Sequence, residues 1–285
     1  MTKINYIILN GSFFNSSEKV LKTGNRAFRY GDGLFESMFA SGGTIPLLKD
    51  HYSRIKKSAK ILKYNWPQLL TYEILAKEIT RLINKNRIFG GARIRLCIYR
   101  EDGGLYTPES NKADYLIESH PVNYTSFLMN ETGVKLGLYE KIKKAQNPLS
   151  NIKSASALLY VMASIFCQES GYDDCLIMND RGNIVEALSS NIFLCRGNNI
   201  YTSSLESGCI EGVMRKNLIS LAKKSGYTIY TDAVIKPDNL LKADEVFLTN
   251  AVSGISWVLA YRNKRYYNKI SSRLTLKLNE ELFSG

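Results

Sequence analysis

Histidine is nearly absent from this chain of 285 residues: His51 and His120 are the only two, too few for a histidine-rich metal centre. Cysteine is scarce and scattered. Cys97, Cys167, Cys175, Cys195 and Cys209 are odd in number and form no CxxC pair, which argues against a disulfide framework and against a zinc site. No metal is expected. No apolar run reaches membrane-spanning length, and the opening Met1-Thr2-Lys3-Ile4-Asn5 carries no hydrophobic signal-peptide region, so a cytoplasmic protein without a membrane partner is expected. Internal repeats and low-complexity segments are missing too, as are helix-turn-helix, RNP and zinc-finger patterns.

What is present is ordinary in bulk and uneven in charge. An apolar fraction of 45% and a charged fraction of 22% suit a soluble globular chain, long enough for one large domain or two modest ones. The net charge is +12, with small clusters at Lys141–Lys144 and Arg262–Lys269. Without a nucleic-acid motif, this reads as a solvated basic surface, or as attraction of small anionic substrates and a phosphate-bearing cofactor. No nucleic-acid partner is expected.

In chain order, residues 4–10 read as a strand turning at Asn10-Gly11-Ser12 into Phe13-Phe14. The glycines either side of Asp32 suggest a tight turn or a close backbone approach, and 34–39 a strand. Ile55, Ala59 and Leu62 recur at helical spacing after Asp50, a candidate cap, which puts Arg54 in the first turns. A second helix covers 72–88. Residues 92–100 alternate as a strand with Arg93 and Arg95 on one face, either a solvated surface or a carboxylate clamp. Residues 119–130 read as a connector. Beyond it, 155–170 reads as a helix ended at Gly171, and Gly212-Val213-Met214-Arg215 opens another running to about Lys224. Strands are expected at 174–178, 184–188, 189–194, 200–202, 227–230 and before Asn250.

Lys153 is the only charge between Asn151 and Tyr160. Burying an ammonium is costly and drives it toward the neutral amine, the form that forms a Schiff base. On that stretch alone, a lysine snorkelling from a helix start explains it as well.

Six fragments in order shift the balance: Tyr30-Gly31-Asp32-Gly33-Leu34-Phe35-Glu36, His51-x-x-Arg54, Lys153, Glu186-x-x-x-x-Asn191-Ile192-Phe193, Gly212-Val213-Met214-Arg215, and Thr249-Asn250-Ala251. Together they resemble the class IV aminotransferase family, the fold-type IV enzymes that use pyridoxal 5'-phosphate. The likeness runs from about residue 5 to 260.

The resemblance implies an α+β fold: a smaller N-terminal α/β domain over 1–118, a connector at 119–130, and a larger C-terminal α/β domain over 131–285, the cofactor between them. It implies a homodimer and a small amino-bearing anionic substrate. Lys153 matches the lysine that carries the cofactor and moves the reacting proton. Glu186 matches the carboxylate that pairs with the cofactor's ring nitrogen. Arg54 matches the phosphate-binding arginine, and Val213 and Met214 the helix-start N–H groups on the same phosphate. Asn250 and Ala251 fall where further phosphate or substrate-carboxylate contacts lie; some members carry a threonine hydroxyl at the Ala251 position. Arg95 aligns with a basic position for the substrate carboxylate, and Tyr30 and Phe35 with pocket walls.

The reaction is less specified. Met214, the Asn250-Ala251 pair and the loop Arg100-Glu101-Asp102-Gly103-Gly104-Leu105-Tyr106 resemble aminodeoxychorismate lyases, while Phe35-Glu36 resembles branched-chain aminotransferases as much. The expectation is a lyase releasing pyruvate and 4-aminobenzoate; an amino-acid aminotransferase using 2-oxoglutarate is the alternative. For a lyase substrate with two carboxylates, Arg93, Arg95, Arg100 and Asn250 are the candidate donors.

Overall fold

Asn10 and Gly11 both adopt positive φ (47° and 85°), so the chain reverses within two residues between β1 (Tyr6–Leu9) and β2 (Ser12–Asn15). The computed structural model describes residues 5–283, so the first residue of the strand expected at 4–10, and the Met1–Ile4 part of the leader reading, lie outside the described residues. Next come α1 (Arg26–Tyr30), β3 (Gly33–Ala40), α2 (Leu48–Ile61), α3 (Tyr72–Lys85), β4 (Gly91–Arg100) and β5 (Ala113–Val122). These belong to one unit, which runs to Ser126 and also takes in Lys153–Ala157.

Its sheet is antiparallel throughout, in the order β2-β1-β5-β4-β3, with β3 at an edge. Ile94, Leu96 and Ile98 of β4 are buried, while Arg93 is exposed and Arg95 and Cys97 are half-buried, so the expected alternation places the arginines on the less covered face. Asp50 does not cap α2. The chain turns at Leu47, with φ of 62°, the helix starts at Leu48, and Asp50 sits inside the first turn.

The second unit comprises Phe127–Ile152 and the chain from Leu158 onward. Its elements are β6 (Val134–Lys144), α4 (Leu158–Glu169), β7 (Asp174–Asn179), β8 (Ile184–Ala187), β9 (Asn191–Arg196), β10 (Asn199–Ser203), α5 (Val213–Lys224), β11 (Thr228–Ala233), α6 (Pro237–Leu241), β12 (Glu245–Asn250), β13 (Gly254–Tyr261), β14 (Lys264–Arg265) and α7 (Lys269–Phe283). They build a mixed sheet in the order β11-β10-β9-β12-β13-β6-β7-β8, with β14 paired to β13. Strands β7, β8 and β9 are buried along nearly their whole length, which is why they read as continuous apolar runs. Leu176, Ile192, Val246, Leu248 and Val258 share the core under them.

Strand β6 and helix α7 carry no clear signal in the sequence. The second half of β6 is Glu140-Lys141-Ile142-Lys143-Lys144, whose charges mask the strand. On α4, Leu158 (78% exposed), Val161 (49%), Met162 (44%) and Ile165 (43%) form an uncovered apolar stripe at helical spacing. Among the described residues, no helix is long and apolar enough to cross a membrane.

Candidate active site

Lys153 lies outside the helix expected around it. That helix starts at Leu158, not Ala155, because the preceding residues pair with the open edge of β3. Phe35 N–H donates to Lys153 O at 3.0 Å, Ala155 N–H donates to Gly33 O at 2.8 Å, and Leu34 bridges Ser154. These backbone bonds outcompete the helical pattern of 155–157. The approach needs glycine: Gly31 sits at φ 66°, and a Cβ there would come 3.3 Å from Ser156 Cβ. The Gly-Asp-Gly sequence is therefore a close backbone approach, made against the lysine segment itself.

From this edge, Lys153 Nζ reaches 4.4 Å from the centre of the Phe35 ring. Arg95 reaches the same ring, its guanidinium carbon 4.1 Å from the centre. Arg95 Nε is 3.9 Å from Glu118 Oε2, a long pairing between groups each about a third exposed. Tyr30 stands at the end of α1 with its ring 5.6 Å from Tyr106 and Arg26 4.9 Å above it. Three residues read from the sequence, Lys153, Phe35 and Arg95, thus meet on one side of β3.

Arg100 does not join them, a correction to its candidacy as a substrate donor. It is buried, its Nε donates to Asp32 Oδ2 at 2.9 Å, and its Nη groups bond Leu62 O and Asn111 Oδ1. Asp32 also takes Arg26 Nε at 2.9 Å and Tyr64 OH at 2.8 Å. Burial pushes its carboxyl up, but Arg100, Arg26 and Tyr64 outweigh that and hold it below the usual range. Arg26 in turn donates to Gly103 O and Leu105 O, pinning the loop after β4. Arg26 and Asp32 are structural anchors: Asp32 stands inside a fragment read from the sequence, and Arg26 was not singled out there.

Arg54 stands on α2 and pairs with Glu36. Its Nε donates to Glu36 Oε1 at 2.8 Å and its Nη2 to Glu36 Oε2, while His51 Nδ1 lies 2.7 Å from that second oxygen. Glu36 follows Phe35 on β3, so alternation turns its side chain to the opposite face. The His51-x-x-Arg54 spacing, one helical turn, lets both residues grip one buried carboxylate. The sequence held both fragments but not their connection.

In the second unit, Glu186 on β8 accepts from Tyr160 OH at 2.6 Å and Ile210 N–H at 2.8 Å, and pairs with Lys144 Nζ at 2.5 Å. Asn191 Nδ2 donates to Ile210 O at 2.9 Å, and a Cβ on Gly212 would fall 1.9 Å from Asn191 Oδ1. Two separate sequence fragments, Glu186 to Asn191 and Gly212 to Arg215, are thereby stitched to one loop. Helix α5 begins at Val213 without a side-chain cap at Gly212, and Val213 and Met214 are buried. Asn250 Oδ1 accepts from Val252 N–H, Ser253 N–H and Ser253 Oγ, and its Nδ2 donates to Ser190 Oγ at 3.3 Å. Its carbonyl is committed to its own turn. Ala251 is half-buried in that turn.

Comparison with known proteins turns these parts into an identity. The family model described as amino-transferase class IV matches residues 33–261. The chain belongs to the class IV aminotransferase family. A Methanocaldococcus jannaschii protein, provisionally named a branched-chain-amino-acid aminotransferase, is 28% identical over 96% of this chain and 94% of its own. The aminodeoxychorismate lyase of Bacillus subtilis is 29% identical over 86% of this chain and 83% of its own. The fold of the branched-chain aminotransferase from Thermoproteus uzoniensis superposes with a TM-score of 0.88, covering 97% of this chain and 94% of that one, at 23% identity. The α+β fold-type IV architecture is that of this class IV chain.

Class IV aminotransferases are pyridoxal-phosphate enzymes, and the residues here fit that group. A carboxylate offers about four acceptor positions. Three of Glu186's are taken, which leaves room on Oε2 for one further donor such as a ring N–H. The uncapped start of α5 supplies the N–H groups a phosphate needs. Lys144 and Tyr160, which the sequence reading did not single out, complete this half.

Proposed function

We propose that this enzyme binds pyridoxal phosphate and acts on a small amino-bearing anion as an aminodeoxychorismate-type lyase, releasing pyruvate and 4-aminobenzoate. The observation that carries the reading is the meeting of Lys153 Nζ and the Arg95 guanidinium on one Phe35 ring. An amine able to move a proton and a cation able to hold a carboxylate share one apolar platform. Arg93 lies on the same strand face, two residues away, which suits a substrate with two carboxylates.

When bound, the cofactor supplies an electron sink for the pair released from a broken Cα–H bond. The chain's residues do the rest. Lys153 Nζ takes the Cα proton, the C–O bond to the neighbouring enolpyruvyl group breaks with the electron pair so released, and the proton passes to the departing enolpyruvate to give pyruvate. Arg54 holds the phosphate, and Val213 and Met214 offer their N–H groups to the same phosphate. Glu186 hydrogen-bonds the ring nitrogen. Asn250 holds its turn so that the Ala251 backbone is presented, and Tyr30 and Phe35 exclude water from the substrate.

A homodimer belongs to the reading, supported by the uncovered stripe Leu158, Val161, Met162 and Ile165 on α4; light scattering giving a monomer mass would remove it. A cytoplasmic setting is supported by all five cysteines being free.

The second reading, an amino-acid aminotransferase using 2-oxoglutarate, is favoured by the branched-chain name of the M. jannaschii relative and by the partial pairing of Arg95 with Glu118. The test is a parallel assay of the purified enzyme. Pyruvate from aminodeoxychorismate with poor turnover of leucine and valine is expected. Efficient amino transfer from an aliphatic amino acid, with no pyruvate, would replace the lyase by the aminotransferase.

A further inference from the structure

Lys144 is the one buried lysine in the basic cluster at the end of β6; Lys141 and Lys143 beside it are exposed. The strand is built to turn it inward. Tyr139 pairs with Ile177 on β7, yet the next pairing is Lys144 with Asn179, so β6 spends five residues where β7 spends two. A bulge of this kind re-aims a side chain. Glu186 pairs with the same Ile177 from the other side of β7. Lys144 Nζ crosses to Glu186 Oε1 at 2.5 Å and stands 5.7 Å above the Tyr160 ring.

The charges around Glu186 are few. Its side chain is 3% exposed, and a cation beside a buried carboxylate offsets part of the cost of taking that charge out of water. Tyr160 OH and Ile210 N–H supply dipoles, not charge. Burial, with Glu186 adding to it, pushes the Tyr160 phenol far above its ordinary range, so it stays a neutral donor. The neighbouring Cys209 thiol is pushed up to about 12, by burial and then by Glu186, and is neutral as well. Arg215, the other cation near Cys209, spends its Nη2 on Ser203 O and Thr231 O. Among the described residues, Lys144 brings the positive charge into contact with Glu186.

We propose that Lys144 is a positioning residue that fixes Glu186 Oε1 and sets a positive charge against it, leaving Oε2 to hold the proton on the cofactor's ring nitrogen. This rests on the reading of Glu186 as the ring-nitrogen partner. With Lys144 present, the pair of charges Glu186⁻ and ring N–H⁺ has its negative end against the ammonium and is stabilised. Without it, the buried pair gains by passing the proton from nitrogen to carboxylate, and both become neutral.

The test follows that proton directly. Holoenzyme is prepared with cofactor labelled with ¹⁵N at the ring nitrogen, and its resonance is read at neutral pH. Wild type should show a protonated nitrogen. In Lys144→Met the resonance should move toward the unprotonated position, with the protonated form reduced at least about tenfold, the factor equivalent to one pKa unit. Lys144→Arg should return it toward wild type. Lys144→Gln, which keeps a donor without the charge, should behave as Lys144→Met does, and it stands in if the methionine variant does not fold. Glu186→Gln separates the two readings. If it leaves the resonance where wild type has it, Glu186 is not the ring-nitrogen partner and the reading beneath the proposal fails. If Glu186→Gln moves the resonance and neither uncharged Lys144 variant does, the role of Lys144 alone is overturned. Thermal melts of the cofactor-free protein give a second measure. Lys144→Met should lower the melting temperature, and adding Glu186→Gln should restore part of the loss, because no unpaired charge then remains buried. Strictly additive losses would contradict the proposal.

Discussion

Arg54 meets any further ligand already oriented, because Glu36 fixes one side of its guanidinium and His51 fixes Glu36. Arg54→Ala should weaken cofactor binding by roughly 1.5–3 kcal/mol, the range for a hydrogen bond to a charged group, read by titrating cofactor-free protein. An unchanged affinity would make Arg54 purely structural. The same cluster sets an acid limit. Burial pushes the Glu36 carboxyl up, but the Arg54 charge and the His51 contact prevail and hold it at about 2, against an ordinary 4.5. A carboxyl lowered in the folded state gives stability that is present above the unfolded value and lost as pH falls through the folded one. Its contribution drains between pH 4.5 and about 2. Melting curves should therefore show Glu36→Gln less stable than wild type near neutrality, with the gap closing across that window. Lys153→Ala should abolish both turnover and the visible band of bound cofactor; a mutant that keeps both would displace Lys153 from the chemistry. Arg95→Ala should lower kcat/KM for aminodeoxychorismate about ten- to a hundredfold, the loss of one charge-assisted contact.

Among the elements, the loop into α5 is the most constrained. Ile210 offers its N–H to Glu186 and its carbonyl to Asn191, and Gly212 leaves the space that Asn191 Oδ1 fills. The helix start and the Glu186 strand therefore move together. Gly212→Ala puts a methyl 1.9 Å from that oxygen, so the loop or Asn191 must shift. The expected cost is about 1–3 kcal/mol of stability, as for overpacking elsewhere, together with weaker cofactor retention. Equal cofactor affinity in mutant and parent would show that the start of α5 is not the phosphate cup. The edge of β3 is the corresponding device in the first unit: it converts residues that would otherwise extend α4 into a strand-like segment and so decides where Lys153 points.

For the whole molecule, the net charge of +12 is spread along the chain rather than gathered into one motif. Long-range attraction of a dianionic substrate should then be screened by salt. Raising ionic strength from about 0.02 to about 0.5 M should raise KM for the anionic substrate while leaving kcat nearly constant, because the Debye length shrinks from above 20 Å to a few ångströms. A KM indifferent to salt would assign the basic excess to solubility alone.

The sequence alone determined the family and the order of the functional fragments. It also placed α5 and the alternation of β4, and it marked Gly31-Asp32-Gly33 as either a tight turn or a close backbone approach, because periodicity, glycine and short motifs are local signals. It could not decide which polar groups pair across the chain. Glu36 with Arg54, Asp32 with Arg100, and Lys144 with Glu186 are separated by 18, 68 and 42 positions. Each pairing is fixed by burial, where an ionised group must find its opposite to avoid the cost of desolvation. The same reason removed Arg100 from the candidate substrate donors and brought Lys144 to the carboxylate proposed for the cofactor ring. Residues from Ala155 looked helical, but an open strand edge takes Lys153, Ser154 and Ala155 into pairing, and only the folded chain creates that edge.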